Sequence, residues 1–415
     1  MKKGQVKPFT LFLLLLSLLF LILFPLWVWN RTKEIPTDPF AKELSEWSGV
    51  ITLWDIPYVQ AGRASHAHWL KDCINNFEKK HPGVFIDVRT MTAERLAMYL
   101  HGDIKRDVLP DMISLGVYEQ PVPENLLTDL TPAFGRDELA AVREPALEMV
   151  MFGEKMIGVP WMMGCYALYV NQEIPLPLEL DLSSESMTAM DYKTMDYIAR
   201  KGTFQNKSGK RTIDYYGFCT YTDDSSKPLL GMIYQKEGNI RDNDAYQLFQ
   251  EWMQEDQKVM PPNVDTLPYS AAFRLFALEK RAGMLLGSSK VIFDTRNLQA
   301  SGKGVEYKVY PLPMAGESGF FMDQVASYGL LIQENDLKER ACILFLKSLL
   351  EEEAQSNLAS IGMFSVLKNY QLYENDAQMN ALEQSLDLIT SSPRMAGKAA
   401  EGLWNSLFDA TAQDE

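Results

Sequence analysis

Residues 153–174 read GEKMIGVPWMMGCYALYVNQEI. The run is almost wholly apolar and β-prone, as a strand buried on both faces would be. Trp161, Tyr166 and Tyr169 interrupt it with rings that carry a polar edge, and Gly158, Pro160 and Gly164 punctuate the backbone beside them. A single core strand needs neither feature. The stretch reads as two strands: KMIGVPW ends one lobe, MMGC crosses over, and YALYVN begins a second. Asn171 reads as the turn former that closes it.

Upstream the pattern is strand, helix, strand, helix, strand. GVITLWDI (49–56) is β-rich, and ASHAHWLKDCINNFEKKHPG follows with apolar residues at 69, 70, 73, 74 and 77. His81-Pro82-Gly83 stops that helix. VFIDVRTM (84–91) is the next strand, AERLAMYLHGDI a short helix and PDMISLG (110–116) a third strand. This alternation predicts a parallel βαβ sheet with flanking helices. Downstream, SMTAMDYKTMDYIARKG and NDAYQLFQEWMQEDQ are predicted helices. The chain passes from helix to strand near Gly283, and VEYKVYPLP (305–313) and VASYGLLI (325–332) are strands. DLKERACILFLKSLLEEEAQSNLASIG is predicted as one long amphipathic helix ending at Gly362, with 376–409 mostly helical. A chain of 415 residues exceeds one ordinary core, so two lobes are expected.

The N-terminus differs. MKKGQVK is basic and FTLFLLLLSLLFLILFPLWVW (9–29) carries no charge. As a helix it would span about 31 Å, enough to cross a bilayer. Trp27 and Trp29 mark its outer end, and Lys2, Lys3 and Lys7 hold the short end in the cytoplasm. No A-x-A-like cleavage site follows, so residues 1–31 are expected to be an uncleaved signal anchor and 32–47 a polar linker, with the rest outside the cell.

The net charge is −15, which disfavours nucleic acid and anionic surfaces as partners. The four cysteines, Cys73, Cys165, Cys219 and Cys342, form no CxxC; one disulfide is possible, and Cys73 and Cys342 read as buried small hydrophobes. His66 and His68 stand two apart on a predicted helix and do not share a face, so no metal site is expected. There is no HExxH, no G-x-S-x-G elbow, no P-loop around SGKRT (208–212) and no dinucleotide fingerprint. Carboxylate pairs are numerous but none is singled out by spacing, which leaves a glycosidase open.

Five segments together resemble the extracellular solute-binding proteins of ABC importers, in the maltose-binding-like carbohydrate group. They are ITLWDIPY (51–58), FEKKHPGVFIDV (77–88), LPDMISLG (109–116), the 154–174 crossover, and SYGLLIQENDLKERACILFLKSLLEEEAQ with the GMFSVLK that follows at 362–368. Two departures stand out: Ser365 occupies the family's usual proline, and GSS (287–289) replaces GPW. The resemblance implies an α/β, two-lobed periplasmic-binding-protein-like fold, each lobe a mixed sheet flanked by helices, joined by crossover hinge strands and preceded by the transmembrane helix. Lobe one would be 48–163 with 312–350, and lobe two 164–311 with 351–415. It implies a monomer that captures a small neutral solute, a sugar or oligosaccharide, by lobe closure and hands it to an ABC permease, with no cofactor and no catalysis. A membrane-anchored ligand sensor and an extracellular carbohydrate-active enzyme are the rival readings.

Rings beside a crossover lie at the wall of a cleft, and an aromatic face suits the apolar face of a sugar. Trp161 and Tyr166, and more weakly Tyr169, are therefore candidate ligand contacts; core packing is the alternative. Open α/β sheets bind at strand carboxyl ends, which adds Asp55 and Tyr58 after the first strand, Glu94 after the second, and Tyr118 and Glu119 after the third. Solvated surface charge or helix capping is the alternative for the acids. Position in the family pattern alone implies Ser288, Ser289 and Arg394.

Overall fold

The computed structural model describes residues 47–57, 65–102, 106–115, 122–174, 190–208, 210–222, 229, 232, 244–254, 258–311 and 325–386. Gly49–Asp55 (β1) runs parallel to Val84–Thr90 (β2), with Gly49 opposite Val84 and Asp55 opposite Thr90. The helix His66–Lys80 joins them. It buries Trp69, Leu70, Cys73, Ile74 and Phe77, the positions whose spacing predicts it. Ser65 caps its start through the N–H of His68, and His81 closes its end. The next residue to turn the chain, Gly83, sits at φ +95°, where an L side chain is strained. A second helix, Ala93–His101, leads to Met112–Leu115 (β3), which pairs with β1 in parallel.

Met151–Phe152 (β4) and Lys155–Met156 (β5) form a small ribbon, after which Val159–Met163 (β6) enters the first sheet. Tyr166–Asn171 (β7) then lies in a second sheet, so the chain changes sheets at Gly164-Cys165, where the apolar run is punctuated. Phe204–Ser208 (β8), Arg211–Cys219 (β9), Ala282–Ser288 (β10) and Tyr307–Pro311 (β11) complete the second sheet, in the order β11-β7-β10-β9-β8. Val325–Leu330 (β12) returns to the first, giving β2-β1-β3-β12-β6. Both sheets are mixed: β12 is antiparallel to β3 and β6, and β10 is antiparallel to β7 but parallel to β9.

Each sheet has its own apolar core. Trp54, Trp69, Phe77, Trp161, Tyr328 and Phe345 belong to the first, and Tyr169, Phe218, Phe249, Trp252, Phe276 and Leu286 to the second. In the second, the helix Tyr192–Gly202 packs so closely that a methyl on Gly217 would fall 1.7 Å from the Ala199 carbonyl oxygen. Glycine is required there by that close approach.

One expectation is corrected. The predicted single helix over 336–362 is three pieces: Asp336–Ser348, Glu352–Ser356 and a 3-10 turn over Asn357–Ile361, stopped by Gly362 at φ +74°. Its apolar spacing runs on because Phe345, Leu346, Ala354, Leu358 and Ile361 all enter the first core. The break follows from side-chain competition: Gln355 Nε2 donates to the Leu349 carbonyl, and Glu351 takes an extended conformation that starts a new helix. Packing then changes cores between Met363 and Phe364.

All four cysteines are free and buried. Burial pushes the thiols of Cys73, Cys165 and Cys219 up to about 12, which leaves them protonated and unreactive. Among the described residues no helix is long and apolar enough to cross a membrane; the expected anchor at 9–29 lies outside the described residues.

Candidate functional site

The carboxyl ends of β1 and β3 meet the first residue of the helix His66–Lys80 and the middle of β12. Asp55, the last residue of β1, is 4% exposed. The Tyr328 hydroxyl donates to its Oδ1 at 2.8 Å and the Ser114 hydroxyl at 3.2 Å. The Ile56 N–H donates to Ser114 Oγ at 3.0 Å, which ties the start of the following loop to the same cluster. His66 Nε2 lies 3.2 Å from the Tyr328 hydroxyl and 3.7 Å from Asp55 Oδ1. Burial lowers the His66 pKa, and the neighbouring Asp55 charge opposes that shift.

Three rings stand behind this cluster. Trp161 stacks on Trp69 at 4.4 Å and lies nearly parallel to Tyr328 at 5.8 Å. The Trp161 indole is thus packed against two rings, and the residue is 1% exposed. What remains to it is an edge: Trp161 Nε1 is buried and has no hydrogen-bond partner among the described residues. Trp69 is different, since its Nε1 donates to the Ala354 carbonyl at 2.9 Å.

Two places where the chain passes from the first core to the second, at 163–165 and at 363–364, lie side by side next to the stack. Met163 N–H donates to the Phe364 carbonyl, and Phe364 N–H to the Met163 carbonyl, both at 2.9 Å. Arg143, itself buried, donates from Nε to the Ser365 carbonyl at 3.2 Å and from its backbone N–H to the Val366 carbonyl at 2.7 Å. The segment 312–324, which links β11 to β12, lies outside the described residues.

The sequence-predicted residues fall into three groups. Asp55 and Trp161 share the Tyr328 wall, and Tyr166 begins β7 just past the first crossing; all three are buried. Ser288 ends β10 and Ser289 precedes the helix Lys290–Gln299. The Ser288 N–H donates to the Tyr221 hydroxyl and its carbonyl accepts from Tyr169, while Ser289 Oγ donates to the Gly362 carbonyl at 3.1 Å. Glu94 stands apart, exposed in the first turn of its helix, where the Thr92 hydroxyl and its own backbone N–H hold its carboxyl below the usual range. Tyr58, Tyr118, Glu119 and Arg394 lie outside the described residues. Asn171 is a turn former and also a buried anchor: its Oδ1 accepts from the Glu173 N–H, and its Nδ2 donates to the Ala282 carbonyl.

Sequence reasoning missed Ser114, Trp69 and Tyr328. Ser114 and Tyr328 stand inside strands that read as plain core. Trp69 is one apolar position in a helical stripe. His66 was visible only as half of a rejected metal pair.

No family model matches the sequence, and no curated protein does. Solved structures do match. The maltose/maltodextrin-binding domain MalE from Bdellovibrio bacteriovorus, bound to maltotriose, is 16% identical over 86% of this chain and 92% of its own, with a TM-score of 0.57. An ABC substrate-binding protein from Listeria monocytogenes in complex with cycloalternan is 16% identical over 87% and 94%, at 0.61. Maltose-bound MalE3 from T. maritima is 18% identical over 86% and 94%, at 0.59. The chain therefore has the two-lobed α/β fold of the maltose-binding-like solute-binding proteins. These neighbours are binding proteins.

Proposed function

We propose that this protein is the solute-binding component of an ABC importer for a neutral carbohydrate. The observation that carries the reading is the junction itself. Two crossings, paired at Met163 and Phe364, stand beside a wall of stacked rings and a buried hydroxyl–carboxylate cluster at the ends of β1 and β3. Junctions of this kind let lobes close about a ligand, and a ligand that contacts both lobes stabilises the closed state. The solved neighbours that share the fold hold maltotriose, cycloalternan and maltose.

In this reading the loop after β1 with Tyr58, the loop after β3 with Tyr118 and Glu119, and Glu94 supply hydrogen-bond partners to hydroxyl groups. Trp161 offers its N–H edge, and Tyr166, Ser288 and Ser289 shape the second-lobe side. Arg394 reaches the cleft from the C-terminal segment. Lobe one comprises 48–163 with 312–363 and lobe two 164–311 with 364–415. The boundary expected at 350/351 is proposed here at 363/364, because Ala354, Leu358, Ile361 and Met363 pack in the first core. The protein acts as a monomer, held at the outer face of the cell membrane by residues 9–29, and the permease receives the solute unaltered, with no cofactor. A sensor role differs only in the membrane partner, and an enzyme would return altered sugar.

The test is thermal unfolding against maltose, maltotriose and larger maltodextrins. A ligand at 100 times its dissociation constant stabilises by about 2.7 kcal/mol. A rise in Tm, with the sugar recovered intact, supports the reading; no rise with any of them removes maltodextrins as the ligand.

A further inference from the structure

Gln355 is wholly buried, and it uses every hydrogen-bonding position an amide has. Its Nε2 donates to the Trp161 carbonyl at 2.9 Å and to the Leu349 carbonyl at 2.7 Å. Its Oε1 accepts from Ser365 Oγ at 2.7 Å and from the Val366 N–H at 3.2 Å. The two donated bonds go to the first core, whose members include Trp161 and Leu349. The two accepted bonds come from the second crossing, where Val366 already belongs to the second core. One side chain thus spans the junction and holds both crossings, β6 through Trp161 and the 362–367 segment through Ser365 and Val366.

Ser365 completes the arrangement. Its hydroxyl donates to Gln355 and accepts from the Leu367 N–H at 3.0 Å, so the turn beyond Phe364 is fastened from both sides. A proline at this position, as in the pattern the sequence resembles, would stiffen the turn through its ring and carry no hydroxyl. Here the stiffness comes from the Gln355–Ser365 pair. A glycine lies beside the pair on each crossing: Gly164 interrupts the first, and Gly362 takes φ +74° at the second.

We propose that Gln355 is the positioning residue of the hinge, a strut that stays made while the lobes rotate and so fixes the pivot at Gly164 and Gly362. The inference rests on the lobe-closure reading, and its first test needs no ligand. The full-length protein, Gln355→Leu and Ser365→Ala are compared by hydrogen exchange read on peptides. In Gln355→Leu, peptides covering 159–168 and 361–368 should exchange at least tenfold faster, while those covering 49–55 and 282–288 keep their rates. Ser365→Ala should show a smaller acceleration confined to 361–368, and it carries the test alone if Gln355→Leu fails to fold. A purely structural role would speed all four peptides together; that outcome, or unchanged exchange at 361–368, overturns the proposal. Small-angle scattering with maltotriose forms the second arm. A hinge strut predicts that Gln355→Leu changes maltotriose affinity at least fivefold, while an unchanged affinity argues against it. Absence of any response in the unaltered protein counts against the carbohydrate reading and leaves the exchange result to decide the strut.

Discussion

Tyr328→Phe isolates one oxygen atom at the centre of the polar cluster. The ring stays, and with it the near-parallel contact to Trp161 at 5.8 Å. What goes is the hydroxyl that donates to Asp55 at 2.8 Å and lies 3.2 Å from His66. A hydrogen bond to a charged partner contributes about 1.5–3 kcal/mol net. Asp55 is 4% exposed, so water cannot replace the lost donor, and the upper half of that range applies. For a unit of about 370 residues, at about 2.1 cal/mol/K per residue, the loss lowers Tm by about 3–4 °C. The assay is urea unfolding at pH 8, where His66 is neutral, on the unaltered protein, Tyr328→Phe, Asp55→Asn and the double variant. Because the hydroxyl acts through Asp55, the two single effects should fall short of additivity by at least about 1 kcal/mol. Additive effects, or a Tyr328→Phe change below about 0.5 kcal/mol, would refute the assignment of Tyr328 as the donor that keeps Asp55 buried.

Two further outcomes follow from the same wall. His66 is held neutral mainly by burial, against the pull of Asp55, and packs among Trp69, Trp161 and the Tyr328 hydroxyl; its folded pKa lies below the unfolded value near 6.5. Its contribution to stability is therefore complete above pH 6.5 and lost as pH falls through the folded pKa, and His66→Gln should flatten that acid slope in a pH series of urea midpoints. His81, also lowered by burial, remains as the internal comparison. The two stacked indoles should respond differently to the same change. Trp69→Phe strands the Ala354 carbonyl, whereas Trp161→Phe removes an N–H that has no partner among the described residues, so Trp69→Phe should be the more destabilising by at least about 1 kcal/mol in chemical denaturation. Equal effects would show that ring volume alone decides both.

The local part of the fold was written in the sequence. Helical spacing at 69, 70, 73, 74 and 77 marks a buried face, and Ser65 and the His81-Pro82-Gly83 stop bound it, because caps and periodicity act within a few residues. The crossing at 153–174 was legible for the same reason: glycine and proline punctuate a run that would otherwise continue as one strand. The helix over 336–362 shows the limit. Its apolar spacing is uninterrupted, yet the backbone breaks where Gln355 reaches Leu349, a competition that depends on Trp161 and Ser365 arriving from elsewhere.

The candidate site lies further along the same scale. Trp161 was identifiable as an unusual residue, but that it is packed away depends on Trp69 and Tyr328, which only the folded chain brings to it. His66 and Tyr328 are 262 positions apart, and Asp55 and Tyr328 273. No periodicity reaches across such separations. Sequence alone settled the strands and helices of 49–115 and the turn at Gly164, since those choices rest on backbone preference and nearest neighbours. Tertiary structure alone settled which buried hydroxyl meets which carboxylate, and which amide spans the two crossings, because a low-dielectric interior pairs polar groups by proximity in space.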